Sequence, residues 1–186
     1  MSAFDELARR NRAYAESGRL AQLNPIPKTG VLIVTCIDPR VEPARFLGVD
    51  QNDALVVRNA GGRVNDGTIF DIALVTSLRE AVGAAAVPPL EVAVIHHTQC
   101  GSGFLADDDF RHGFAARTGL ADAGLQAAAI VDPHVTVSAD VQRLRSSPLV
   151  ADRIVVSGHV LDLQTGLVET VLSATSPYSR DEQALD

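Results

Sequence analysis

Four continuous apolar runs punctuate the chain: VLIVT (31–35), ALVV (54–57), EVAVIHH (91–97) and RIVVSGHV (153–160). They do not alternate with polar residues and are rich in β-branched side chains, as strands are when both faces of a parallel sheet are covered. The segments between them carry helix signals. Ser2 with Asp5 forms a capping box, predicting a helix over 2–17 that Asn24-Pro25-Ile26-Pro27 brings to a close. Thr68 with Asp71 predicts a second helix, to about Val82, apolar on most sides and so in need of cover from the core or a partner subunit. The stretch 101–130 is rich in Ala, Gly and Asp and predicts helix only around 120–128, and Ser138 is the expected start of another helix through Leu144. LDLQTGLVETV (161–171) reads as a strand, a glycine-bearing turn and a short strand.

Strands alternating with helices predict an α/β fold: a single domain over 1–186 with a mainly parallel central sheet flanked by helices and an antiparallel C-terminal edge strand. Residues 1–24 form an N-terminal helical arm and 176–186 a polar tail. A length of 186 residues suits one hydrophobic core, and a 46% hydrophobic composition excludes a disordered chain. The formal charge of −7 repels phosphate backbones and argues against nucleic acid as a partner. Arg9, Arg10 and Arg12 cluster, but Asp5, Glu6 and Glu16 surround them, the pattern of a solvated helix face. No apolar run reaches the length of a membrane span, and MSAFDELARR lacks the apolar centre of a secretory signal, so the cytoplasm is the default expectation.

Open α/β sheets bind ligands beyond the carboxyl ends of their strands, where strand order reverses. Cys36 follows the first apolar run, and His97 and Cys100 follow the third. If those two strands flank the reversal, the three side chains converge. Two thiolates and an imidazole suit Zn²⁺ and leave a fourth position over, whereas an iron–sulfur cluster lacks a fourth cysteine. A disulfide or redox dithiol made from the two cysteines is the alternative. In CIDPR (36–40), Asp38 can reach the open position or a water held there, and Arg40 can clamp its carboxylate; the plainer reading is a surface turn stabilised by an Asp–Arg pair. In RNAGG (58–62), paired glycines permit close backbone approach, and their N–H groups can line an anion or a carbonyl-like oxygen. The loop is neither a Walker loop nor a dinucleotide fingerprint.

Cys36-x-Asp38-x-Arg40 and His97-x-x-Cys100-Gly101, with RNAGG between them, resemble the defining motifs of the beta-class carbonic anhydrases, and SGHVLDLQTGLV (157–168) resembles that family's closing hairpin. The resemblance runs from about residue 30 to 172. It implies one zinc per chain on Cys36, His97 and Cys100, and hydration of carbon dioxide to bicarbonate. It implies that Asp38 orients the attacking group or displaces it as fourth ligand, while Arg40 holds Asp38 off the metal. Asn59, Ala60, Gly61 and Gly62 resemble the loop beside the substrate pocket. The family forms homodimers that exchange N-terminal helices, and these often pair as a dimer of dimers. Pro39 and His159 depart from the family's usual small and aromatic residues, and Gln22 is the candidate for a pocket glutamine. Rival readings are a hydrolase of carbon disulfide or carbonyl sulfide on the same scaffold, and a non-catalytic structural zinc module. His96, His112 and His134 are the histidines considered for carrying protons outward.

Overall fold

The computed structural model describes residues 2–24, 26–82 and 90–175; the polar tail expected over 176–186 lies outside the described residues. The chain begins with helix α1 (Ala3–Glu16) and a 3-10 turn (Arg19–Gln22), followed by β1 (Val31–Cys36), α2 (Pro43–Phe46) and β2 (Leu55–Asn59). Next come α3 (Asp66–Ala81), β3 (Leu90–His97), a 3-10 segment (Gly101–Ala106), α4 (Asp108–Thr118), α5 (Asp122–Ala128) and α6 (Pro133–Arg145). Strands β4 (Ile154–Leu161) and β5 (Val168–Thr175) close the chain.

The sheet has the order β2-β1-β3-β4-β5. Its first four strands are parallel and β5 runs antiparallel to β4, as the sequence pattern predicts. The chain moves from β1 outward to β2, then returns to place β3 on the other side of β1. Strand order therefore reverses between β1 and β3, the two strands that end in the candidate ligands.

Alternate residues of each strand feed different faces. Leu32, Val34, Val92, Val94, Val156 and Val160 pack with Ile69 and Ile72 of α3 and Val137, Val141 and Leu144 of α6. On the other face Ile33, Ile95 and Leu161 pack with Val41, Phe46 and Val49. Both faces are apolar, which is why the runs do not alternate. Cover on the second face is incomplete: a groove of about 460 Å³ remains, lined by Val31, Ile33, Ala93, Ile95 and Val168 among others.

Three helix starts differ from expectation. The α3 cap is Asn65, whose side chain accepts the Thr68 N–H at 2.9 Å; the Thr68 hydroxyl instead turns back to the Arg63 carbonyl at 3.0 Å. The α6 cap is Asp132, with Pro133 at the first turn, so the helix begins before Ser138, whose hydroxyl donates to the His134 carbonyl. Asp107 caps α4, a helix the Ala/Gly/Asp composition hides. Residues 162–166 form a turn rather than a separate strand, closed by the Gly166 N–H to the Asp162 carbonyl at 2.8 Å. The helix α3 is covered on one side only, since Phe70, Leu74 and Leu78 are exposed in the single chain. No residue of α1 is buried, although its capping box forms as predicted, with the Ser2 N–H on Asp5 at 2.7 Å.

Candidate metal centre

Strand β1 delivers Cys36 at its last residue, and β3 delivers His97 at its own. A hydrogen bond from the Thr35 hydroxyl to the Ile95 carbonyl, 2.9 Å, ties the two strands together just before their ligands. Cys100 returns to the site because the chain turns sharply at Gln99, a non-glycine residue with φ 56°. That conformation costs about 1–2 kcal/mol and needs outside support. Arg40 Nη2 supplies some by donating to the Gln99 carbonyl at 3.2 Å. Thr98 supplies more: its N–H donates to the Leu161 carbonyl at 3.0 Å, and its hydroxyl accepts the Leu163 N–H at 3.0 Å. The β4–β5 connection thus braces the ligand turn.

The ligand atoms of Cys36, His97 and Cys100 lie within 4.8 Å of one another, with the two sulfurs 4.0 Å apart. His97 is fully buried, and its Nδ1 lies 2.8 Å from the Thr98 carbonyl. A carbonyl only accepts, so the ring proton sits on Nδ1 and Nε2 carries a lone pair. That Nε2 has no hydrogen-bond partner among the described residues. An orphaned buried imidazole nitrogen beside two thiols is costly unless something binds it, and a thiophilic metal ion fits the donor set.

The two thiols share a proton when no metal is bound. Donation from Cys100 draws the Cys36 pKa well below the ordinary thiol range against burial, with further help from the N–H groups of Asp38 and Gly61. The same hydrogen bond, together with burial, pushes Cys100 well above the ordinary thiol range.

Asp38 belongs to a separate pair. Its Oδ1 accepts Arg40 Nε at 3.0 Å and the Arg40 N–H at 2.9 Å; its Oδ2 accepts Arg40 Nη2 at 2.7 Å. Arg40 is the main cause of an Asp38 pKa lowered to about 2. Pro39 does not disturb the pair, because its fixed φ suits a tight turn. The carboxylate is turned to Arg40 and stands outside the group of three converging ligand atoms.

The 59–62 loop closes over β1. Gly61 and Gly62 have φ of 81° and 66°, and a Cβ on Gly62 would lie 2.7 Å from the Thr35 carbonyl carbon and 2.8 Å from the Cys36 nitrogen. Asn59 closes the loop on itself: its Oδ1 accepts the Arg63 N–H and its Nδ2 donates to the Arg63 carbonyl, both at 2.8 Å. Ala60 is exposed beside the loop, and Gln22 lies in the exposed 3-10 turn after α1. Sequence reasoning passed over Arg58, although it begins the RNAGG motif. Its Nε donates to the Cys36 carbonyl at 3.0 Å and its Nη2 to the Asp38 carbonyl at 2.9 Å, with Glu42 holding the third nitrogen, so it fixes the backbone path of CIDPR. Of the histidines, His96 is fully buried between Thr136 and Asp140, whereas His112 and His134 are exposed. His159 shares its ring nitrogens with Ser157 and Thr170, and burial lowers its pKa.

Comparison with known proteins agrees with this geometry. The carbonic anhydrase family model matches residues 31–118, which include the three converging side chains, the Asp38–Arg40 pair and the glycine loop. Beta-carbonic anhydrase 1 of Mycobacterium tuberculosis is 30% identical over 171 residues, spanning 92% of this chain and 99% of that protein. The chain belongs to the beta-carbonic anhydrase family. Within the family, the crystal structure of a carbonic anhydrase from Streptococcus mutans superposes with a TM-score of 0.75 at 35% identity, covering 92% of this chain and 98% of that one. A carbon disulfide hydrolase of Saccharolobus solfataricus is also similar, at 37% identity over 98 residues, 52% of this chain and 42% of that protein. The departures at Pro39 and His159 leave the Asp38–Arg40 pair and the β4–β5 pairing formed.

Proposed function

We propose that the chain is a zinc-dependent carbonic anhydrase, with Cys36, His97 and Cys100 holding one zinc per chain. The observation that carries this reading is the pairing of a three-ligand cluster with a carboxylate held beside it by Arg40. Zinc, when bound, supplies the Lewis acidity that makes a hydroxide nucleophile available near neutral pH for attack on carbon dioxide. Asp38 stays ionised throughout that range and is therefore acceptor-only. Its lone pairs not used by Arg40 can accept a hydrogen bond from the nucleophile and orient the attack. Arg40 keeps the carboxylate from taking the metal's remaining position. The Gly61 N–H faces the Cys36 sulfur, and the loop of Asn59, Ala60, Gly61 and Gly62 is the proposed wall of the substrate pocket. A cytoplasmic setting keeps such thiolates reduced. Stopped-flow carbon dioxide hydration across pH, on protein of measured zinc content, tests the proposal; zinc-replete protein without activity at any pH would refute it.

The similarity to a carbon disulfide hydrolase favours one rival. The ligands do not discriminate between the two linear substrates, so parallel assays with carbon dioxide and carbon disulfide decide. For assembly, the reading is a homodimer or a dimer of dimers in which α1 lies on the partner. Phe4 and Leu7 of α1 are exposed, and the sheet face opposite α3 and α6 keeps an open apolar groove. Sedimentation equilibrium should give at least a dimer at micromolar concentration; a 19.7 kDa species alone would exclude it.

A further inference from the structure

Asp140, on α6, is a buried carboxylate to which the chemistry above gives no part. Its Oδ2 accepts Arg63 Nε at 2.7 Å and the Val64 N–H at 3.0 Å, and its Oδ1 accepts Arg63 Nη2 at 3.1 Å. His96 Nε2 lies 3.2 Å from Oδ2, a close contact without hydrogen-bond alignment. Arg63 also donates Nη1 to the Ala127 carbonyl at 3.0 Å, in the last turn of α5. Burial is the strongest influence on Asp140 and raises its pKa, yet His96, Arg63 and the Val64 N–H together bring it below the ordinary value. The group is a fixed negative charge inside the protein.

Its neighbours give that charge a role. Arg63 directly follows Gly62, and Asn59 holds both the N–H and the carbonyl of Arg63. The 59–63 loop is thus closed by Asn59 and fastened to α6 by Asp140. The loop presses Gly62 against the end of β1, where Cys36 begins its turn. His96 immediately precedes His97 on β3. One carboxylate therefore touches both the loop seated over one ligand and the strand that delivers another.

We propose that Asp140, acting through Arg63, is a positioning residue for the metal centre: it seats the 59–63 loop over the Cys36 sulfur and fixes the spacing between Cys36 and His97. The proposal rests on the reading of Cys36, His97 and Cys100 as zinc ligands. An amide in place of the carboxylate removes the charge and turns an NH₂ donor towards Arg63 or the Val64 N–H, so the fork and the backbone bond can no longer all form. The loop then relaxes, the Gly61 N–H moves off the sulfur, and metal affinity falls. Changes in groups that orient metal ligands typically weaken binding by about 10–100-fold.

The test compares D140N, R63M, their double variant and L144A with the wild type. Leu144 is a fully buried residue one turn further along α6 and has no part in the network, so L144A reports general loss of stability. Zinc affinity is read by competition with a chromogenic chelator, the ligand field by the thiolate-to-cobalt bands of the Co²⁺ protein, and loop order by amide exchange of residues 61–64 in metal-free protein. D140N and R63M should each weaken zinc by about 10–100-fold. Their double variant should be no weaker than the worse single, because both break one link. Both should shift the cobalt spectrum and speed exchange across 61–64, while L144A lowers the melting temperature with zinc affinity and spectrum unchanged. Wild-type affinity and spectrum in D140N and R63M would overturn the proposal, and so would an equal loss of affinity in L144A. Should D140N fail to fold, R63M carries the test from the more exposed side of the pair. If the wild type takes up neither zinc nor cobalt, the metal reading fails, and unchanged amide exchange in the metal-free variants separately refutes the fastening role.

Discussion

Replacing Arg40 by alanine distinguishes a working zinc from a structural one. The substitution removes the 3.0 Å and 2.7 Å bonds to Asp38 and the 3.2 Å bond to Gln99, while the 2.9 Å backbone bond to Asp38 remains. A charge-assisted hydrogen bond contributes about 1.5–3 kcal/mol. Arg40 is 52% exposed, so solvent screens much of what its two side-chain bonds add to stability, and their effect is on the orientation of Asp38. Loss of the group that orients the attack is expected to lower the rate by about 10²-fold. Asp38, held only by the Arg40 backbone N–H, is then freer to turn towards the metal position, which would close the site. Zinc content should not change, because none of the three ligands is touched. D38A should also retain zinc and lose rate, since it deletes the orienting carboxylate itself. The assay is stopped-flow carbon dioxide hydration at pH 7 and pH 9 with metal analysis of each preparation. Wild-type rates in both variants, with zinc retained, would show that the pair is only a surface turn and that the mechanism is wrong.

C36A and C100A should each lose zinc on purification, and full occupancy in either would contradict the ligand assignment. G62V forces a branched side chain into a φ of 66° and against the Thr35 carbonyl carbon at 2.7 Å, so a loss of about 3 kcal/mol or more is expected in denaturant melts; wild-type stability would mean that the close approach is not rigid. Asp140 has a lowered folded-state pKa, so its stabilisation is present above the unfolded value of about 3.9 and is lost as pH falls through the folded value. The stability gap between wild type and D140N should therefore be widest near neutral pH and shrink below about pH 4; a gap of the same size in strong acid would refute the assignment.

The four apolar runs predict β1 to β4 closely because buried parallel strands need apolar residues on both faces, a property visible in any short window. Helix starts were less legible. Thr68 with Asp71 has the form of a capping box, but Asn65 three residues earlier takes the cap, and the Thr68 hydroxyl is drawn to the Arg63 carbonyl. Asp132-Pro133 is a strong start signal in itself and outcompetes Ser138, the expected start, six residues later. At the site, Cys36, His97 and Cys100 could be read from residue type and strand-end position. Arg58 and Asp140 could not, for their roles depend on which carbonyls and N–H groups packing leaves within reach.

The sequence by itself determined the layered α/β plan, the place of the chemistry beyond the carboxyl ends of β1 and β3, and the soft donor set that suits zinc. These follow from local pattern and from the chemistry of single side chains. Only the tertiary structure decided that strand order reverses between β1 and β3, that Arg40 turns Asp38 away from the sulfurs, and that the His97 Nε2 is left bare. It also decided that a carboxylate on α6 fastens a loop 77 residues earlier in the chain. Each of these depends on satisfying buried polar groups across long sequence separations. The partner is selected by three-dimensional packing and hydrogen-bond geometry, neither of which is encoded in a local window.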